Sequence, residues 1–275
     1  MPPVTRAASP GGRLALAALV LALVTGLVVA GRVGWGYWQR HRTVDPETPL
    51  AEQCAEVPAG AARTTLTAAD GRILGAAVVG PQDARVGVVL RQGASQTLCE
   101  WLPWAGALAE ATGARVLLFD RRGRGSTPGE GDLTAEPGDT VVAVARLRED
   151  GAQRVALVAS SMGNSVMVSA LPDLAPAPCA VASVSPVLVS SDSHGTVDAT
   201  PLRSLPDSLW VTWEAQNPAI ADTVRLVREA AAAQGRAAPH LLPVDTMDHS
   251  RQLVLNHPEV RDFLVAAVGS CAGGP

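Results

Sequence analysis

Lysine is missing altogether: all 22 basic residues of the 275-residue chain are arginines. They face 26 acidic residues, for a formal net charge of −4, so no broad positive field is available for nucleic acid. Aromatic residues make up only 3% of the chain, and its core must come from Val, Leu and Ala. The four cysteines, Cys54, Cys99, Cys179 and Cys271, contain no C-x-x-C pair, the spacing that zinc sites and thioredoxin-like centres need. Gly123-Arg124-Gly125 is too short and wrongly placed for a dinucleotide-binding loop. Neither a metal nor a cofactor is therefore expected, and no internal repeat is visible.

One long uncharged run is present. It extends from Leu14 to Gly31, preceded by Arg6 and Arg13 and closed by Arg32. The run exceeds the ~7–15 residues of a signal-peptide core and approaches the ~17–25 that span a bilayer. Trp35, Tyr37 and Trp38 follow, where an interfacial aromatic belt would lie. Residues 1–42 are read as an uncleaved signal-anchor; a cleaved signal peptide ending near Val28-x-Ala30 is the alternative. Both readings place the remainder outside the cytoplasm, as a single-pass membrane protein or a secreted one. An even number of cysteines fits disulfides in that compartment. Three pairings are open, and so are four free thiols. Cys179 starts an expected strand and Cys271 follows the last expected helix, so the preferred pairing is Cys179–Cys271 with Cys54–Cys99.

Residues 43–58 carry Pro, Glu and Thr without periodicity and read as a linker, leaving 59–275 as the main domain. Arg63 to Thr67 alternates, Asp70-Gly71 signals a hairpin turn, and Ile73 to Val79 returns. Strand and helix patterns then alternate. Strands are expected at 85–90, 115–119, 155–159, 180–189 (broken at Pro186), 208–213 and 240–244. Helices are expected at 98–113, 139–150, 164–171, 218–235 and 257–269. This order specifies an α/β domain with a mostly parallel central sheet and helices on both faces. Residues 190–206 are the one long irregular insertion of the C-terminal half, too short for a helical cap, so an open site is expected. Reactive groups in such sheets gather beyond the carboxyl ends of the strands.

The sharpest chemical signal is Ala159-Ser160-Ser161-Met162-Gly163, between a Val-rich strand and a helical pattern. A serine held in a tight strand-to-helix turn needs small residues two before and two after it. Only Ser161 has them, in Ala159 and Gly163. The same turn aims the Met162 N–H beside the hydroxyl, and Gly93 permits a tight turn after the first parallel strand where the Ala94 N–H could face it. Together these would make an oxyanion hole. Of the five histidines, His249 follows the last strand at the same edge as Ser161 and is the expected base; His194 is the alternative. Trp101 and Trp104 are expected in the core, and Trp210 and Trp213, three apart on a strand, on opposite faces of the sheet.

Four segments in this order resemble the α/β-hydrolase family of serine esterases, lipases and peptidases. They are Arg91-Gln92-Gly93, Phe119-Asp120-Arg-Arg-Gly123-Arg-Gly125-Ser126, Ala159 to Gly163, and Asp248-His249-Ser250. The resemblance spans roughly residues 60–270. It implies an extracytoplasmic serine hydrolase acting on small acyl esters through an acyl-enzyme, and a bracing role for Asp120 and Arg122. One position departs from the pattern. Relatives often carry an Asp where this chain has Asn217, and an amide cannot stabilise an imidazolium by charge. Glu214 is the expected acid, with Asp222 and Asp192 as alternatives. Acyl transfer to another alcohol is a second reading. A catalytically silent binding domain is a third, motivated by Asn217 and Gln92.

Overall fold

A computed structural model describes residues 43–273 of the chain. The signal-anchor reading of residues 1–42 lies outside the described residues, among which no helix is long and apolar enough to cross a membrane. An eight-stranded sheet runs in the order β1-β2-β4-β3-β5-β6-β9-β10. Its strands are β1 Ala62–Thr67, β2 Ile73–Val79, β3 Val86–Arg91, β4 Arg115–Phe119, β5 Arg154–Ser160, β6 Ala180–Val184, β9 Leu209–Glu214 and β10 His240–Val244. The expected hairpin supplies the antiparallel part: β1 pairs with β2, and β2 with β4. From β4 to β10 every pairing is parallel. Edge strand β10 carries Pro243, which has no N–H to offer a further strand.

Alternate strand residues feed two separate cores, the period-2 pattern of a sheet covered on both faces. Val88, Leu90, Ala156 and Val158 point to one, with Leu98 to Ala109 of helix α2 (Leu98–Thr112), Leu253 and Val254 of α6 (Arg251–Asn256), and Val260 and Leu264 of α7 (Pro258–Gly269). Val89, Phe119, Val155 and Leu157 point to the other, with α3 (Glu136–Glu149), α4 (Gly163–Ala170) and α5 (Pro218–Ala233). Trp101 and Trp104 lie in the first core, edge to face at 5.7 Å. Trp210 and Trp213 pack on opposite faces, as their spacing requires.

Both disulfides are of the preferred pairing, Cys54–Cys99 and Cys179–Cys271. The segment read as a linker does what a free linker would not. It contains a helical turn α1 (Leu50–Gln53), buries Leu50, joins Cys54 to the start of α2, and donates from Gln53 Nε2 to Asp120 at 2.8 Å. Residues 190–206 are not wholly irregular either. Val189–Asp192 (β7) and Gly195–Asp198 (β8) form a two-stranded hairpin. Its Val197 joins Leu133, Met162 and Val166 in a small third core. Asp120 is fully buried and accepts from the N–H groups of Leu98 and Ser126, both at 2.7 Å. Arg122 is tied to Asp139 and Asp70. Both residues therefore brace the loops at the carboxyl edge, the structural role expected of them.

Candidate active site

Strand β5 ends at Ser160, helix α4 begins at Gly163, and the two residues between make the turn. Ser161 is held at φ 52°, in the left-handed region where a residue with a Cβ costs about 1–3 kcal/mol. The Ser161 N–H donates to the Val184 carbonyl at 2.9 Å and its carbonyl accepts from Asn164, which holds the strained conformation. Gly163 is required by close approach: a Cβ there would stand 2.7 Å from the carbonyl oxygens of both Arg91 and Gln92. The loop after β3 thus packs directly on the serine turn. A Cβ on Gly93 would reach to 3.3 Å from the Ser161 Cβ.

Ser161, His249 and Glu214, far apart in sequence, meet at the carboxyl edge of the sheet, Ser161 and His249 beyond the ends of β5 and β10 and Glu214 as the last residue of β9. Ser161 Oγ lies 2.8 Å from His249 Nε2, and His249 Nδ1 lies 2.6 Å from Glu214 Oε1. An ionised carboxylate can only accept, so Nδ1 carries the proton and Nε2 is left to accept from the serine hydroxyl. Glu214 is fully buried. Burial alone would raise its pKa, but hydrogen bonds from His249 and Ser185 outweigh it and hold the carboxyl below its ordinary 4.5. His249 keeps 39% of its side chain exposed, so the imidazole is open to water.

The other acid candidates are elsewhere. Asn217 donates its amide to Glu214 Oε1 at 3.3 Å and so supports the carboxylate instead of replacing it. Asp222 is 74% exposed on α5 beside Arg225. Asp192 faces Arg121 at 3.5 Å and accepts from the His194 N–H. Among the other histidines, His194 packs over Gly131, His240 stacks on Trp210 at 3.9 Å, and His257 pairs with Asp248 at 3.1 Å. Gln92, the other ground for a silent domain, donates from a buried position to the Phe119 carbonyl at 2.7 Å.

The Met162 and Ala94 N–H groups have no protein acceptor among the described residues. Two side chains fix the loop that carries Ala94. Arg121 Nη1 donates to the Ala94 carbonyl at 2.9 Å, and Gln96 Oε1 accepts the Gly93 N–H at 2.9 Å. Arg121 is itself held by the buried Glu136, which also takes Arg91 at 2.7 Å. Sequence reading missed Gln96, Arg121, Ser160, Ser185 and Ser250. Arg121, Ser160 and Ser250 stood inside the quoted motifs without a role of their own, and nothing in the sequence marked Gln96 or Ser185. No group of His, Cys, Asp and Glu among the described residues is arranged to hold a metal ion.

No family model and no curated sequence matches the chain. Solved structures do. An esterase of Pyrococcus furiosus superposes with a TM-score of 0.65 at 14% identity, covering 78% of this chain and 91% of its own. An esterase/lipase from an uncultured bacterium gives 0.59 at 19% identity, covering 86% and 95%. An α/β serine hydrolase without a lid from Xanthomonas campestris gives 0.57 at 19%, covering 79% and 98%. At such identities likeness speaks for architecture, and sheet order, serine turn and neighbours agree: the chain has the α/β-hydrolase fold.

Proposed function

We propose that this protein is a serine hydrolase that cleaves carboxylic esters through an acyl-enzyme. One observation carries the reading: the unbroken hydrogen-bond chain from Ser161 Oγ through His249 to the buried Glu214, at 2.8 and 2.6 Å. Ser161 attacks the ester carbonyl carbon while His249 Nε2 takes its proton. Glu214 stays ionised, holds the imidazole in the required tautomer and stabilises the imidazolium that forms. The free N–H groups of Met162 and Ala94 bind the tetrahedral oxyanion. The intermediate collapses, His249 returns the proton to the departing alcohol, and the acyl group remains on Ser161. Water, deprotonated by the same imidazole, then releases the acid. The exposed face of His249 favours water as acceptor. The names of the solved structures above, esterases and lipases, favour an ester as the bond.

The test is labelling with a fluorophosphonate together with turnover of p-nitrophenyl acetate. Wild-type protein is expected to do both and Ser161→Ala neither; labelling that survives Ser161→Ala removes the assignment. For location, the proposal is a domain outside the cytoplasm, anchored by the apolar run Leu14 to Gly31 or released after it. Two disulfides support that compartment. Alkylation during denaturing, non-reducing lysis of cells should leave all four cysteines unmodified, and four blocked thiols would count against it.

A further inference from the structure

Ser250 follows His249 directly and is 4% exposed. Its backbone stands at φ 60°, ψ −124°, a region unfavourable to any residue with a Cβ. Three hydrogen bonds hold it there, and each leads to a different part of the site. Its N–H donates to Ser185 Oγ at 2.9 Å, and the Ser185 hydroxyl donates to Glu214 Oε2 at 2.6 Å. Its Oγ pairs with Ser160 Oγ at 2.6 Å, one residue before Ser161. The same Oγ accepts from Gln96 Nε2 at 3.2 Å. Gln96 Oε1 receives two N–H donors, Gly93 at 2.9 Å and Trp101 Nε1 at 2.8 Å. That fixes the amide orientation and makes Nε2 the group that faces Ser250.

We propose that Ser250 is a positioning residue, whose side chain and backbone N–H set the register of His249 against Ser161, Glu214 and the Gly93–Ala94 loop. The inference rests on the serine-hydrolase reading. A glycine would adopt this backbone without strain, yet it would release both Oγ contacts and with them the direct ties to the serine turn and to Gln96. The position therefore carries an unfavoured conformation together with the side chain that touches both. The contribution acts through His249, so it belongs in the rate of the chemical steps and not in substrate affinity. Misplacement by about 1 Å can lower a rate roughly 10²-fold.

The experiment compares wild type, Ser161→Ala, Ser250→Gly, Ser250→Ala, Ser160→Ala and Ser185→Ala on p-nitrophenyl acetate, with fluorophosphonate labelling rates alongside. The Ser250 variants are expected to lose roughly 10–100-fold in kcat with KM within about twofold, and to label more slowly in proportion. Ser160→Ala should lose less, and Ser160→Ala with Ser250→Ala should be no worse than the latter alone, because both delete the same contact. Wild-type kcat in Ser250→Gly, or a change confined to KM, overturns the proposal while an inert Ser161→Ala leaves the parent reading standing. An active Ser161→Ala removes both. If the Ser250 variants do not fold, Ser160→Ala and Ser185→Ala decide: a kcat within twofold of wild type in both overturns it.

Discussion

Glu214 and Asn217 lie three residues apart and have very unequal consequences when altered. Glu214 is the sole carboxylate on the His249 ring among the described residues, whereas Asn217 only lends it an amide hydrogen. Glu214→Gln should therefore lower kcat about 10⁴-fold, as loss of the acid does in serine proteases, and Asn217→Ala less than about tenfold. Ester turnover of the two purified variants decides this, and equal losses would contradict it. The pH dependence of folding has a defined sign. The folded-state pKa of Glu214 is depressed, so its stabilisation is fully present above its ordinary 4.5 and is lost as pH falls through the lower folded value. Urea melts of wild type and Glu214→Gln should accordingly draw together as pH drops below 4.5.

Much at this scale was legible. Ser161 announced itself because its turn tolerates only small neighbours, and His249 because it follows the last strand. Glu214 could be favoured only by its place at the end of β9, since a carboxylate there looks much like a surface one until its burial is seen. The serines around Ser250 were illegible for a plain reason. A serine in a loop has no periodic signature, and what defines these three hydroxyls, of Ser160, Ser185 and Ser250, is which chain segments the fold brings to them.

Among the elements, the β5–α4 turn and the loop after β3 are the pair on which the site depends, for they are packed to the limit. A methyl group at residue 163 would stand within 2.7 Å of two carbonyl oxygens, below van der Waals contact. Gly163→Ala must push the Gly93–Ala94 loop away from Ser161. The expected outcome is a stability loss of about 1–3 kcal/mol from overpacking and a loss of ester turnover larger than that of Asn217→Ala. A denaturant titration and a rate assay check both, and an unchanged rate would mean that the loop does not serve the oxyanion. The sheet elements were readable because runs such as Val155 to Ala159 are apolar on both faces. Hairpin β7–β8 was not: Val-Ser-Ser-Asp and Gly-Thr-Val-Asp hold a single core residue, Val197. Helix α6, six residues long, is too short to display a period. Helix α3 begins at Glu136, three residues before its expected start, because Glu136 is drawn inward by Arg91 and Arg121, a pull no local pattern records.

At the scale of the molecule, the two disulfides close loops of 45 and 92 residues. Loops of this length restrict the unfolded chain enough to stabilise the fold by about 2–4 kcal/mol each. The same cysteines that report on compartment should thus report on stability. Reduction is expected to lower the thermal midpoint by roughly 4–16 °C per bridge, read by calorimetry with and without reductant; an unmoved midpoint would show that the bridges constrain nothing. The segment around Cys54 shows what composition conceals. Pro and Glu made residues 43–58 look like a spacer, but one buried leucine and one sulfur bond make them part of the folded unit.

The open rim of the sheet has its own consequence. Pro243 sits in β10 with no hydrogen to donate, so a neighbouring copy cannot lengthen the sheet there by simple strand addition. Copies crowded together would meet a stopper at that border, and side-by-side zippering along it would be broken at one fixed point.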